Sequence, residues 1–178
     1  MSVVLGLDPS LTCTGVALVD TVTGEVQTRR VIAPNQGASL IARRNRIRKA
    51  LDGILAPVPV RLAVTVVEVP HSRQQFGAQN ERVALYWMLV DQLIARGPVV
   101  EVAPAQRAKL ATGNGRASKD DVVAAMTARH PGVRIPDDNV ADALALADAG
   151  VAWATGDQTH FNPGQAETFG RLAWPDRA

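Results

Sequence analysis

The residues of this 178-residue chain that could do chemistry are carboxylates set in apolar surroundings. Asp8 directly follows the run VVLGL, Glu68 lies near the end of LAVTVVEV, and Asp142 sits within NVADALALA. A carboxylate at the end of a buried strand, or on an apolar helix, is costly to desolvate unless positive charge meets it. An arginine or a helix N-terminus explains one such acid. Three brought together would repel and resist ionising together, and a divalent cation removes that conflict. Oxygen donors of this kind suit Mg²⁺ or Mn²⁺ rather than zinc. His71, His130, His160 and the single cysteine, Cys13, are scattered without zinc-like spacing. Two such ions about 3.5–4 Å apart can activate a water and stabilise the leaving oxygen of a phosphodiester.

The elements around these acids decide whether they can meet. Val3 to Leu7 reads as a strand closed by the Asp8-Pro9 turn. Gly15 to Asp20 reads as a second strand, and Thr23-Gly24 as the hairpin into a third, Glu25 to Ile32. Ser39 opens a helix to about Leu55, carrying Arg43, Arg44, Arg46, Arg48 and Lys49. Leu62 to Val69 is apolar enough for a strand buried on both faces. Gln79 to Ala95 reads as a helix, Val99 to Val102 as a short strand, and Pro104 to about Leu110 as a helical turn. Ser118 with Asp121 resembles a capping box for a helix to Arg129, and Asp138 or Asn139 begins an alanine-rich helix to about Trp153. Tight turns make the first three strands antiparallel, while helical crossovers let the later ones join in parallel. The expectation is an α/β fold with a mixed five-stranded sheet and helices on both faces, the topology of the ribonuclease H fold. In that sheet the first and fourth strands are neighbours, which brings Asp8 and Glu68 together. Residues 1–155 form the expected domain, and the polar, aperiodic residues 156–178 a tail or packing arm.

Composition narrows the classes. Hydrophobic residues at 47% exclude a disordered chain, and one cysteine excludes an internal disulfide framework. No apolar run reaches the roughly 18 residues of a membrane span. MSVVLGLDPS has no basic start and meets Asp8 early, so no secretory signal is read and a cytoplasmic location is expected. The 19 basic residues against 17 acidic ones include only three lysines, Lys49, Lys109 and Lys119. Arginine suits two-pronged contacts to phosphate.

The motifs resemble one family. GLDPSLTCTGVALVD is similar to the first motif of the RuvC-type Holliday-junction resolvases, and VVEVP to their second acidic strand. KLATGNGRASK, from Lys109 to Lys119, resembles their lysine-containing loop, and NVADALALA their final acidic motif, usually D-x-x-D-A-L-A. The resemblance covers Val3 to Ala147 in order. It implies a metal-dependent endonuclease that cuts four-way DNA junctions as a homodimer, leaving 5′-phosphate and 3′-hydroxyl ends, with two Mg²⁺ ions for which Mn²⁺ substitutes. Asp8, Glu68 and Asp142 would hold the ions, Lys119 would touch the scissile phosphate or the attacking water, and Lys109 would contact the DNA backbone. The first acid of D-x-x-D falls on Asn139. Either Asn139 is a neutral ligand, or Asp138 takes the role after a small shift of the helix start, or three acids suffice; the expected set is three acids plus Asn139.

Arg116 and Lys119, with the amides of the Gly-rich loop, could bind phosphate, although the spacing is not that of a P-loop. Arg73 and Phe76 follow Glu68, where a loop could reach the junction centre and Phe76 could wedge between bases. Tyr86 and Trp87 are read as core or dimer contacts, and Cys13 as a small buried residue. Other readings are a broader branched-DNA nuclease, a junction-binding module that does not cut, and a phosphotransferase or ATPase of the actin and sugar-kinase type. The last usually needs two such domains and an adenosine motif, for which 178 residues leave no room.

Overall fold

The computed structural model describes residues 2–35, 37–70 and 78–176. Five strands form one mixed sheet: β1 (Val3–Asp8), β2 (Cys13–Asp20), β3 (Val26–Ile32), β4 (Val64–Glu68) and β5 (Val99–Val102). Their order is β3-β2-β1-β4-β5. The three N-terminal strands are antiparallel, and β4 runs parallel to both β1 and β5. This is the expected ribonuclease H-like arrangement. Six helices accompany the sheet among the described residues: α1 (Leu40–Leu55), α2 (Gln79–Ile94), α3 (Pro104–Thr112), α4 (Lys119–Arg129), α5 (Asp138–Thr155) and α6 (Pro163–Gly170).

The period-two alternation of β1 divides the core into two layers. Leu5 and Leu7 pack with Ile54 of α1 and Leu85, Leu89 and Leu93 of α2. Val4, on the other face, packs with Leu110 of α3, Leu146 of α5 and Phe169 of α6. The central strands β1 and β4 are therefore covered on both faces, as their unbroken apolar runs require, while β3 is mostly exposed.

Helix α5 lies almost on the backbone of the sheet because two glycines make room. A Cβ on Gly6 of β1 would stand 2.0 Å from the Ala143 carbonyl oxygen, and one on Gly15 of β2 would stand 1.8 Å from that of Asn139. Alanines at 141, 143, 145, 147 and 149 are all buried along α5. This close approach carries the first turns of α5 to the ends of β1 and β4.

Two elements go beyond the sequence reading. The turn expected after Pro104 is a full helix to Thr112, ended by Gly113 at φ +88°. The aperiodic C-terminal stretch contains α6, capped where the Asn162 side chain accepts from the Gln165 N–H and the Gln165 side chain accepts from the Asn162 N–H. Gln165 is buried and its Nε2 donates to the carbonyls of Leu110 and Ala111, at 2.7 and 3.0 Å. Phe161 and Trp174 each pack against Phe169, and Trp153 stacks on Trp174. Eight residues are too few for a visible helical period, and tertiary packing supplies what propensity does not.

Candidate active site

Strand register places the first two acids. Leu7 of β1 pairs with Val67 of β4, so the next position in each parallel strand sets Asp8 beside Glu68. Parallel strands lie about 4.8 Å apart, within reach of two carboxyl side chains. Asp8 also faces Gly15 across the antiparallel pair, and Gly15 supports Asn139. The turn leaving Asp8 is fixed where the Ser10 N–H donates to Thr14 Oγ1 and the Thr14 hydroxyl donates back to the Ser10 carbonyl, at 2.9 and 2.7 Å.

Helix α5 supplies the other acids. Asp138 and Asp142 are four residues apart and share a helical face. Asp137 is the N-cap, accepting from the Val140 N–H at 3.1 Å, and it also pairs with Arg30 at 3.0 Å. The run Asp137-Asp138-Asn139 thus divides its tasks: the first caps, while the second and third enter the pocket. One pocket of about 470 Å³ is lined by Asp8, Glu68, Asp138, Asn139 and Asp142, with Pro9, Ser10, Thr12, Arg82, Arg107 and Lys119 among its walls.

The electrostatics are those of crowded like charges. Burial, then Glu68 and Asp142, hold the Asp8 carboxyl well above the usual aspartate range. Burial pushes Asp142 up to about 7, against the pull of Arg107. Asp138 is held below its ordinary value by its hydrogen bond from Lys119, which raises the lysine in turn.

Arg107, which the sequence reading passed over, is the cation inside the cluster. Its Nε donates to Glu68 Oε2 at 2.7 Å, and its Nη1 stands 2.7 Å from Asp142 Oδ1. The second contact is an ion pair without hydrogen-bond alignment. No three His, Cys, Asp or Glu side chains among the described residues converge as ligands of a single ion. The donor chemistry nevertheless suits a hard divalent cation, since carboxylates and one carboxamide face a common space. The available signal for Arg107 was its place, three residues into the helix that follows β5, the strand beside β4.

The remaining sequence-derived residues are distributed around this pocket. Lys119, the first residue of α4, reaches Asp138 at the rim. Arg116 is exposed on the α3–α4 loop. Lys109 turns toward α6 and pairs with Glu167 at 2.6 Å. Arg73 and Phe76 lie outside the described residues. Tyr86 is buried and donates to Glu101, while Trp87 is 60% exposed. Cys13 is half-buried, 4.0 Å from Asp137.

No helix among the described residues is long and apolar enough to cross a membrane. No curated protein sequence matches the chain significantly. Among solved structures, the chain is similar to Thermus thermophilus RuvC, at 22% identity and a TM-score of 0.60 over 86% of this chain and 96% of that one. It is also similar to T. thermophilus RuvC in complex with a Holliday junction substrate, at 20% identity and a TM-score of 0.62 over 88% and 97% of the two chains. The yeast mitochondrial Holliday junction resolvase Ydc2 matches at 10% identity with a TM-score of 0.53, over 93% of this chain and 82% of that one. The profile of the RuvC family, described as crossover junction endodeoxyribonuclease RuvC, matches residues 4–149, and the chain belongs to that family.

Proposed function

We propose that this chain resolves four-way DNA junctions by metal-dependent hydrolysis at the pocket of Asp8, Glu68, Asp138 and Asp142, with Asn139 as a neutral donor beside them. The observation that carries this reading is the meeting of Asp8 and Glu68 at the ends of parallel neighbours with the Asp138–Asp142 face of α5. Endodeoxyribonuclease action on junctions comes with the family. The ion, the ion count, the product ends and the residue roles are our assignments.

Asp8 would hold both ions, and Glu68 and Asp142 would each hold one or both. Four carboxylates carry the charge that two divalent ions balance, which favours a pair of Mg²⁺ ions, with Mn²⁺ able to replace them. Bound there, the ions would activate the attacking water and stabilise the leaving oxygen, giving 5′-phosphate and 3′-hydroxyl ends. Lys119, mostly exposed at the rim, orients the scissile phosphate and contributes charge where the reaction develops it. Arg116 on the adjacent loop contacts the backbone. Lys109 contacts DNA once Glu167 releases it. Val83, Trp87, Met88 and Ile94 leave an apolar face exposed on α2. A second copy covering that face would give the homodimer that paired nicks require.

The test uses a labelled four-way junction, a linear duplex and ATP, each with Mg²⁺, with Mn²⁺ and with chelator. Symmetric, metal-dependent nicks in the junction are expected, and Asp8→Asn is expected to bind the junction without cutting it. Cleavage by Asp8→Asn at the wild-type rate would overturn the assignment. ATP turnover would point to a phosphotransferase, and tight binding without cleavage in either metal to a binding module.

A further inference from the structure

Arg107 sits where a metal ion would otherwise be expected, and its surroundings give it a task. Its side chain is 15% exposed, against 13% for Glu68 and 6% for Asp142. All three charges are therefore largely withdrawn from water, and each would be costly to leave unpaired. The planar fork spans the gap between two acids borne by different elements, β4 and α5. The two contacts are unequal. Glu68 accepts a hydrogen bond, whereas the buried Asp142 Oδ1 is held by charge alone, without a hydrogen bond.

We propose that Arg107 is an internal counter-ion of the carboxylate pocket, displaced when divalent ions load and taken up by the phosphate of bound DNA, so that ion binding and DNA binding assist one another. The proposal rests on the nuclease reading above for the identity of the phosphate, but not for the displacement itself. A guanidinium and a divalent cation cannot both lie between Glu68 and Asp142. Loading therefore costs the free protein two ion pairs. A DNA phosphate at the mouth of the pocket, where Ser10, Thr12 and Lys119 stand, offers the freed fork an acceptor of matching two-pronged geometry. Each ligand thus lowers the cost of binding the other, and such coupling is reciprocal. The device would keep the free protein poor in metal and its pocket neutralised, and would assemble the loaded centre on DNA.

The experiment measures Mn²⁺ affinity by the electron paramagnetic resonance signal of the free ion, without turnover. Wild type and Arg107→Gln are compared alone and with a four-way junction whose central linkages are bridging methylene phosphonates, which keep the charge and resist cleavage. Arg107→Gln is expected to bind Mn²⁺ at least about tenfold more tightly than wild type when DNA is absent. The junction is expected to tighten Mn²⁺ binding to wild type more than to Arg107→Gln, which keeps only the direct attraction between the ions and the phosphate. Should Arg107→Gln unfold without metal, Arg107→Lys takes its place, since it keeps a positive charge but not the fork; intermediate tightening is then expected. A variant that binds Mn²⁺ no more tightly than wild type, or a junction without effect on the wild-type affinity, would overturn the proposal. The DNA-free titration involves no cleavage, so its failure leaves the nuclease reading standing. Cleavage by Asp8→Asn would remove that reading and leave the displacement to be decided by the titration.

Discussion

Gly15→Ala tests the claim that backbone contact between α5 and the sheet sets the proposed active site. An added Cβ would lie 1.8 Å from the Asn139 carbonyl oxygen, whereas real Cβ contacts essentially never fall below 3.0 Å. The obstacle is backbone, so no side chain can rotate out of its way. The start of α5 must retreat by about 1 Å or more, taking Asp138, Asn139 and Asp142 with it while Asp8 and Glu68 stay on their strands. Misplacement on the order of 1 Å costs roughly 10²-fold in rate. Overpacking of this kind costs about 1–3 kcal/mol, which lowers the melting temperature of a chain this size by roughly 2–12 °C. The assay is single-turnover nicking of a labelled four-way junction at saturating Mg²⁺, with thermal unfolding measured in parallel. Gly170→Ala is the control, because nothing lies within 4 Å of the place its Cβ would take and its φ is not positive. It is expected to cleave at the wild-type rate. If Gly15→Ala nicks at the wild-type rate with an unchanged melting temperature, α5 is not seated on Gly15 and the positional argument fails.

Arg29, Arg30, Arg44, Arg48 and Lys49 line a groove between β3 and α1 whose acid is Asp52. Arg48→Ala with Lys49→Ala is expected to weaken junction binding, to flatten its salt dependence by about one unit of slope per lost phosphate contact, and to leave cleavage at saturating DNA unchanged; fluorescence anisotropy over a salt series reads this out. Gln165→Leu leaves the buried carbonyl of Leu110 without its side-chain donor, while that of Ala111 keeps Arg129 Nη2, and is expected to cost roughly 1–3 kcal/mol by chemical denaturation. The chelator-treated protein should lose stability as pH rises from about 4 to about 7, because burial holds Asp142 near 7 and Asp8 well above its usual range. In that window the folded state binds more protons than the unfolded state, so raising the pH favours unfolding. Thermal melts across the window should show the fall, and Asp142→Asn should flatten it.

The acids of β1 and β4 were legible because strands advertise themselves. VVLGL and LAVTVVEV have no polar alternation, so each had to be buried on both faces, and a charge at their ends had no bland place to go. The β-β-β-α-β order then made them neighbours, and the register bears this out. Elements that depend on one another's surfaces were less visible. Helix α6 is specified by Gln165 reaching the carbonyls at the end of α3, a contact between residues more than fifty positions apart. The same arm explains Lys109, whose sequence neighbours suggest DNA while its spatial neighbour is Glu167. Asn139 illustrates the limit most clearly. Read as a motif position, it is an acid replaced by an amide. Read in the fold, Asp138 already faces Lys119 in the pocket, and the carbonyl of Asn139 is what Gly15 must clear. A spacing pattern assigns one role per position, whereas the helix start distributes capping, packing and charge over three consecutive residues. Arg107 belongs to the same class of fact. Nothing around it in the sequence is acidic, and its meaning comes only from two carboxylates that other elements deliver to it.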